Sequence, residues 1–472
     1  MNVLFIYPVN PPELFTIQFS QGIGFLSAAL KKAGHKTDLL LLYDVNKKDI
    51  AKKIAGFRPD LIAISSVTDQ IELSKDIIKH IYEKYKLPII LGGVHPTVKP
   101  EECIRIPHLI GICIGEADEA LPEFVDLLER KKDYTKTMNF WFKKDKKIIR
   151  NQVRPLIQNL DKLPFPDRNI FNKYLKYDGE FEFIGSRGCP FQCTYCINSF
   201  MMNLYKGKGK YVRYRSVDNL LKEIEEVRKN NKITSVMLDD DTFILNKEWL
   251  REFADKYPRY IRIPFVCNAR ADRLDEETAK LLKKAGCFEV KVGVESGNDS
   301  IRSKILKRPM TNRQIRDAFK VIKKYEMKAT SFNMIGMPYE TEKEIWDTIK
   351  LNRDIKPYRM GVSVFRPYPG TDSYRLCKEK GWVSNRKVRS YFDEVTVLDQ
   401  PSIPKEKLRY YYRIFRISAW HPIIAPFFRL IARVKISKDK SFYDIVLSMK
   451  SYVSSKLTRK QRTFLMKYIK WF

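Results

Sequence analysis

The sequence predicts an α/β protein: a doubly wound parallel sheet, then a partial (β/α)6 barrel, then a helical, basic C-terminal extension. Three observations carry this reading. Over the first 130 residues, short apolar runs alternate with segments of helical period. After a proline-punctuated stretch the alternation restarts and gives six more strand–helix units. The last 72 residues hold 17 Lys+Arg against 3 Asp+Glu, with arginines and aromatics interleaved.

In the first segment, strands are expected at residues 2–7, 37–42, 61–65, 88–91 and 110–114, with helices at 22–32, 48–55, 71–85 and 118–130. Ligands of such sheets sit at the carboxyl ends of the strands. Those ends carry Pro8 to Pro12, Ser65 to Thr68, Gly92-Gly93-Val94-His95 and Gly115-Glu116-Ala117-Asp118. Small residues and hydroxyls there let a backbone come close to a large flat ligand. No G-x-G-x-x-G follows the first strand, which argues against a dinucleotide. Residues 139–142 and 147–150 read as a hairpin, and Pro155, Pro164 and Pro166 mark a linker. The expected domains are 1–135, a hairpin and linker at 136–175, a barrel at 176–400 and the extension at 401–472.

The barrel strands are expected at residues 181–186, 235–238, 264–267, 289–293, 329–335 and 361–365, with helices at 216–230, 275–285, 312–325 and 342–354 among those between them. Each strand end is loaded. The first opens into Cys189, Cys193 and Cys196; the second ends in Asp239, Asp240 and Asp241; the third runs to Arg270 and Asp272. The fourth gives Glu295, Ser296 and Gly297, the fifth Gly336 to Thr341, and the sixth Arg366 to Thr371. Singly, each could be turn or cap chemistry. Together at one barrel mouth they indicate a site.

The cysteines are the most specific signal. A C-x3-C-x2-C run brings three thiolates to one metal centre, one fewer than a structural zinc or an electron-transfer cluster uses. A coordination position is left for a reactant. The other cysteines, 103, 113, 267, 287 and 377, are scattered and form no second pair of this kind. With Met1 leading straight into a strand, no signal peptide is expected, and the reading is a cytoplasmic, reducing setting. The net charge of +32 favours anionic partners.

Residues 179–400 resemble a radical SAM core, and with the N-terminal sheet they resemble the cobalamin-dependent radical SAM family. The C-x3-C-x-Φ-C motif is matched in full with Tyr195 at the aromatic position, and the runs after Gly92 and Gly115 are typical of the family's cobalamin domain. The resemblance implies a [4Fe–4S] cluster on the three thiolates, S-adenosylmethionine (SAM) on its fourth iron, and cobalamin at the sheet, near Ser65, Gly92, Gly93, His95, Gly115 and Glu116. It places Asp239 to Asp241 near the methionyl amine and Arg270 near the methionyl carboxylate. Glu295 and Ser296 fall near the ribose or methionyl group, Gly297 where SAM packs close, and Gly336 at the adenine. The D-x-H-x-x-G motif for a lower cobalt ligand is absent; His95 reads as pocket lining or as a ligand.

The implied activity is reductive cleavage of SAM to a 5′-deoxyadenosyl radical, with methyl transfer to an unactivated carbon as the first reading. A cobalamin-dependent cyclisation or rearrangement is the alternative. The implied partners are a small-molecule or lipid substrate and an electron donor such as flavodoxin or ferredoxin. The basic, aromatic tail suits the surface of an anionic membrane. It also suits RNA, which gives an RNA-binding or RNA-modifying protein as the reading from another class. A non-catalytic assembly factor that binds the same cofactors is a further one.

Overall fold

The computed structural model describes residues 1–9, 19–175, 179–386, 394–423 and 425–431. The chain forms two compact units: residues 1–243, 251–265 and 368–375 make the first, and the described parts of 244–250, 266–367 and 376–472 make the second.

The first sheet lies in the first unit. Its strands are β1 (Asn2–Pro8), β2 (Lys36–Leu42), β3 (Leu61–Ser65), β4 (Ile89–Gly92), β5 (Gly111–Cys113), β6 (Phe140–Lys144) and β7 (Lys147–Arg150). Their order is β2-β1-β3-β4-β5-β6-β7. The first five are parallel, and strand order turns at β1, which pairs with both β2 and β3. Side-chain alternation explains why both faces are covered. Val3 and Phe5 of β1 join one buried cluster with Ile23, Leu30 and Phe124, while Leu4 and Ile6 join another with Ile50, Ile77 and Ile81. The expected hairpin is present, and it extends the sheet: β6 pairs antiparallel with β5. Its turn is made by Asp145 (φ 50°) and Lys146 (φ 62°), the paired positive φ of a tight hairpin turn.

The remaining strands are β8 (Glu180–Phe183), β9 (Ser186–Arg187), β10 (Arg213–Tyr214), β11 (Ser235–Leu238), β12 (Phe265–Ala269), β13 (Cys287–Glu295), β14 (Lys328–Ile335) and β15 (Arg359–Val364). Six of them form the parallel half-barrel sheet, in the order β15-β14-β13-β12-β11-β8. Within the first unit β8 pairs with β11; within the second, β14 pairs with both β13 and β15. β9 and β10 make a separate antiparallel pair, with Arg187 opposite Arg213.

In the second unit the helix Lys405–Trp420 spends its apolar face on the fold. Leu408, Tyr411, Ile414 and Phe415 are buried against Trp346, Ile349, Met360 and Val362. Its arginines are engaged too: Arg409 and Arg413 pair with Glu394, and Arg416 donates to the Met360 carbonyl. The first part of the basic extension is therefore helical packing. Residues 432–472, which carry the rest of the arginine–aromatic pattern, lie outside the described residues. No helix among the described residues is long and apolar enough to cross a membrane.

Candidate active site

The cysteine loop is built from β8 outward. Asp240, fully buried at the end of β11, accepts the Gly185 N–H at 3.1 Å and the Ser186 hydroxyl. Its neighbour Asp239, which is exposed, donates its own N–H to the Phe183 carbonyl at 2.8 Å. These bonds fix the exit of the chain from β8. Gly188 then takes φ +90°, and a Cβ there would lie 2.6 Å from the Tyr211 carbonyl oxygen, so only glycine fits.

Cys189 and Cys193 are buried, Cys196 is half-buried, and none forms a disulfide. The Cys196 N–H bonds the Cys193 carbonyl at 3.1 Å, and Cys196 is the N-cap of the helix Ile197–Leu204. A helix N-terminus favours negative charge on that sulfur. Asn198 donates to the Cys196 sulfur at 3.6 Å, also bonds Asp241, and accepts from the Tyr211 hydroxyl at 2.6 Å. Thr242 lies 3.9 Å from the Cys189 sulfur. Between the thiols, Thr194 is pinned by the Ser373 N–H (2.9 Å) and hydroxyl (3.0 Å), and Tyr195 is half-buried. Burial pushes the Cys189 thiol up and the Cys196 thiol up to about 11, and the Asp241 charge adds to both. Such thiols bind iron only by giving up their protons to it. Three unbridged thiols on one short loop, with a helix N-terminus behind one of them, fit a cluster with one open iron.

A cavity of about 260 Å³ lies beside Phe5 of β1 and at the C-terminal ends of β3, β4 and β5; Ser65, Gly92, Gly93, Gly115 and Glu116 line it. Gly93 has φ +99°, and a Cβ there would sit 2.7 Å from the Ser66 carbonyl oxygen. Phe5, Phe25, Leu26 and Leu121 add apolar walls. A floor of small residues with apolar walls fits the face of a broad macrocycle such as a corrin. His95 is not among the lining residues. It is buried, with Nδ1 3.1 Å from the Thr68 hydroxyl and its N–H on the Ser66 carbonyl, and burial lowers its pKa.

The residues expected from the third, fourth and fifth barrel strands belong to the second unit. Arg270, expected near the methionyl carboxylate, is buried, and its guanidinium forks onto Asp272 at 3.0 and 3.1 Å. Glu295 ends β13 at φ +64°, beside a register shift, a costly conformation for a non-glycine residue. Ser296 is fully buried and accepts the Asn298 N–H at 3.2 Å. At Gly297 a Cβ would lie 2.2 Å from the Asp347 carbonyl oxygen, so helix packing already demands the glycine. The Gly336 N–H bonds Glu340 at 2.5 Å, and its carbonyl accepts from Gln400 at 2.9 Å. Glu340 also accepts the Met337 N–H at 3.2 Å, and burial raises its carboxyl to about 8.

Sequence reasoning gave no role to Arg187, Arg213, Asn198 or Glu340. Glu340 stands in the Gly336 to Thr341 run and Arg187 two residues before Cys189, and their chemistry was the available signal.

The three-thiol loop that follows β8 lies in one unit with a doubly wound sheet that holds its own cavity, an arrangement suited to a metal cluster and a second ligand. Comparisons with known proteins agree. Residues 183–351 match the radical SAM superfamily model, and residues 16–125 match the B12 binding domain model. An uncharacterized methyltransferase of Pyrococcus horikoshii is 30% identical over 365 residues, covering 74% of this chain and 76% of that one. An anaerobic magnesium-protoporphyrin IX monomethyl ester cyclase of Cereibacter sphaeroides is 22% identical over 408 residues, covering 80% of this chain but only 64% of the cyclase. Among solved structures, the radical SAM methyltransferase TsrM of Kitasatospora setae, with cobalamin and a [4Fe–4S] cluster bound, superposes with TM-score 0.66 at 17% identity, covering 80% of this chain and 75% of that one. The chain belongs to the cobalamin-binding radical SAM family of enzymes. Its cofactors are a [4Fe–4S] cluster, SAM and cobalamin.

Proposed function

We propose that this enzyme is a cobalamin-dependent methyltransferase acting on an unactivated carbon of a small, hydrophobic molecule. The observation that carries the reading is the match over most of both chains to a relative named as a methyltransferase. The cluster and SAM supply a hydrogen-abstracting radical when bound, and cobalamin supplies a methyl group. The chain supplies placement. Cys189, Cys193 and Cys196 hold iron, Asp240 and Gly188 fix the path into the loop, and the strand ends around Ser65, Gly93 and Gly115 receive the corrin face. Asp239 and Asp241, close to the cysteine loop in the first unit, are the groups we assign to SAM.

The test is transfer of an isotope-labelled methyl from SAM into product, made anaerobically with cobalamin-loaded enzyme, a flavodoxin or ferredoxin reductant and candidate hydrophobic pools. Label in a product supports the proposal. A product formed without label would support cyclisation or rearrangement, the second reading, which the likeness to a relative named as a cyclase favours.

The hydrophobic character of the substrate draws on the C-terminal region. Ile423, Phe427 and Leu430 recur at helical spacing, and they are 92%, 60% and 60% exposed. They sit in the strongly cationic last 72 residues, a pairing suited to an anionic membrane surface. Flotation with anionic liposomes that survives nuclease supports this; salt-sensitive binding to RNA alone would favour an RNA substrate.

A further inference from the structure

We infer that Arg187 is a positioning residue that couples the cavity of the first sheet to the cysteine loop, so that filling the cavity alters the cluster. The inference rests on the two cofactor sites and not on methyl transfer. Arg187 stands two residues before Cys189 in sequence. Its guanidinium forks onto Asp118 with two bonds of 2.9 Å, reaches Glu116 at 3.2 Å, and lies over the Phe25 ring at 4.8 Å. Arg187, Asp118, Glu116 and Phe25 all line the cavity. A ligand entering the cavity therefore meets the groups that hold the arginine.

The network continues across the β9–β10 pair. Arg213, opposite Arg187 in register, grips Glu116 at 3.0 and 2.5 Å. Asp118 and Arg213 are buried, 8% and 4% exposed, and Glu116 holds its backbone N–H on the Tyr205 hydroxyl at 2.7 Å. Buried paired charges are costly to separate, so the two arginines and two carboxylates rearrange together. The next residue, Gly188, leaves no room for a side chain beside the Tyr211 carbonyl, so the short path to Cys189 runs close against Tyr211. A shift of the Arg187 fork is thus carried into the first cluster ligand. Such coupling is reciprocal: the cluster must change corrinoid affinity by the factor through which the corrinoid changes the cluster.

The experiment titrates hydroxocobalamin into the full chain, with and without reconstituted cluster, by corrin absorption. It also records the electron paramagnetic resonance spectrum of the reduced cluster with and without cobalamin. In the wild type, the two dissociation constants should differ about 5- to 150-fold, and cobalamin should alter the spectrum. Arg187→Lys keeps the charge but loses the fork. In it the ratio should fall towards one and the spectrum should ignore cobalamin, with iron and corrinoid still bound. Asp118→Asn should do the same, and it decides the matter if the lysine variant does not hold iron. A wild-type ratio of one with both cofactors bound, or a ratio kept in both variants, overturns the inference alone. A wild type that binds no corrinoid overturns the cavity assignment with it.

Discussion

Asp240 lies 3.1 Å from the Gly185 N–H and takes the Ser186 hydroxyl on the same carboxylate, so the chain between β8 and the cysteine loop is held by a side chain that follows β11. Burial raises that carboxyl to about 6 against the lowering pull of these donors. The cost of burying it is offset by fixing where the cysteines begin.

Asp240→Asn should therefore damage the loop more than the sheet. One of its two acceptor oxygens becomes a donor facing other donors, a mismatch of about 1–3 kcal/mol. The expected outcome is a lowered melting temperature and incomplete iron loading, read by iron and sulfide analysis after anaerobic reconstitution.

Replacing Cys189, Cys193 or Cys196 singly by alanine should abolish the stable complement of about four irons per chain and the cluster's visible absorption. Cys377→Ala is the control. That thiol is buried in the second unit and should leave iron content unchanged, at the cost of a small drop in stability.

Gly93→Ala tests the cavity. Its positive φ and the 2.7 Å clash with the Ser66 carbonyl should cost about 1–3 kcal/mol and push the β4 end into the cavity. Corrinoid affinity should fall with iron content retained, as shown by parallel titrations of the variant and the wild type.

Glu340 should make stability depend on pH. Burial raises its carboxyl to about 8, above the ordinary 4.5, so the folded chain keeps a proton that the unfolded chain has released. The associated stability is complete below about pH 4.5 and is lost as pH rises through about 8. Glu340→Gln, whose side-chain oxygen can still accept the Gly336 and Met337 N–H groups, should flatten that part of the melting temperature profile. An unchanged slope would contradict the assignment.

Much of this was legible in the sequence because period and punctuation are local. The strand Leu61–Ser65, the strand Ser235–Leu238 and the helix Ile71–Tyr85 fall where the apolar pattern puts them. The cysteine spacing marked a candidate iron site, and Gly92, Gly93 and Gly115, singled out at the strand ends, line a cavity. What stayed hidden depends on pairing across long separations. Arg187 and Asp118 are 69 residues apart, and Asp240 and Gly185 are 55 apart. Nothing local says which carboxylate a guanidinium will find. For the same reason the packing of the helix Glu342–Ile355 against Gly297 was not visible in the sequence. The hairpin was visible, but its antiparallel docking on β5 was not, because edge pairing is set by the sheet and not by the hairpin's own residues.

The cysteine loop and the first sheet should act together as one radical enzyme. The most direct measurement is anaerobic: the chain is reconstituted with iron, sulfide and cobalamin, purified, and given SAM with dithionite. Cluster and corrinoid should co-purify, with 5′-deoxyadenosine formed in amounts that vanish when Cys189, Cys193 or Cys196 is replaced. A fully loaded protein that yields no 5′-deoxyadenosine, or a chain that retains no corrinoid, would contradict it.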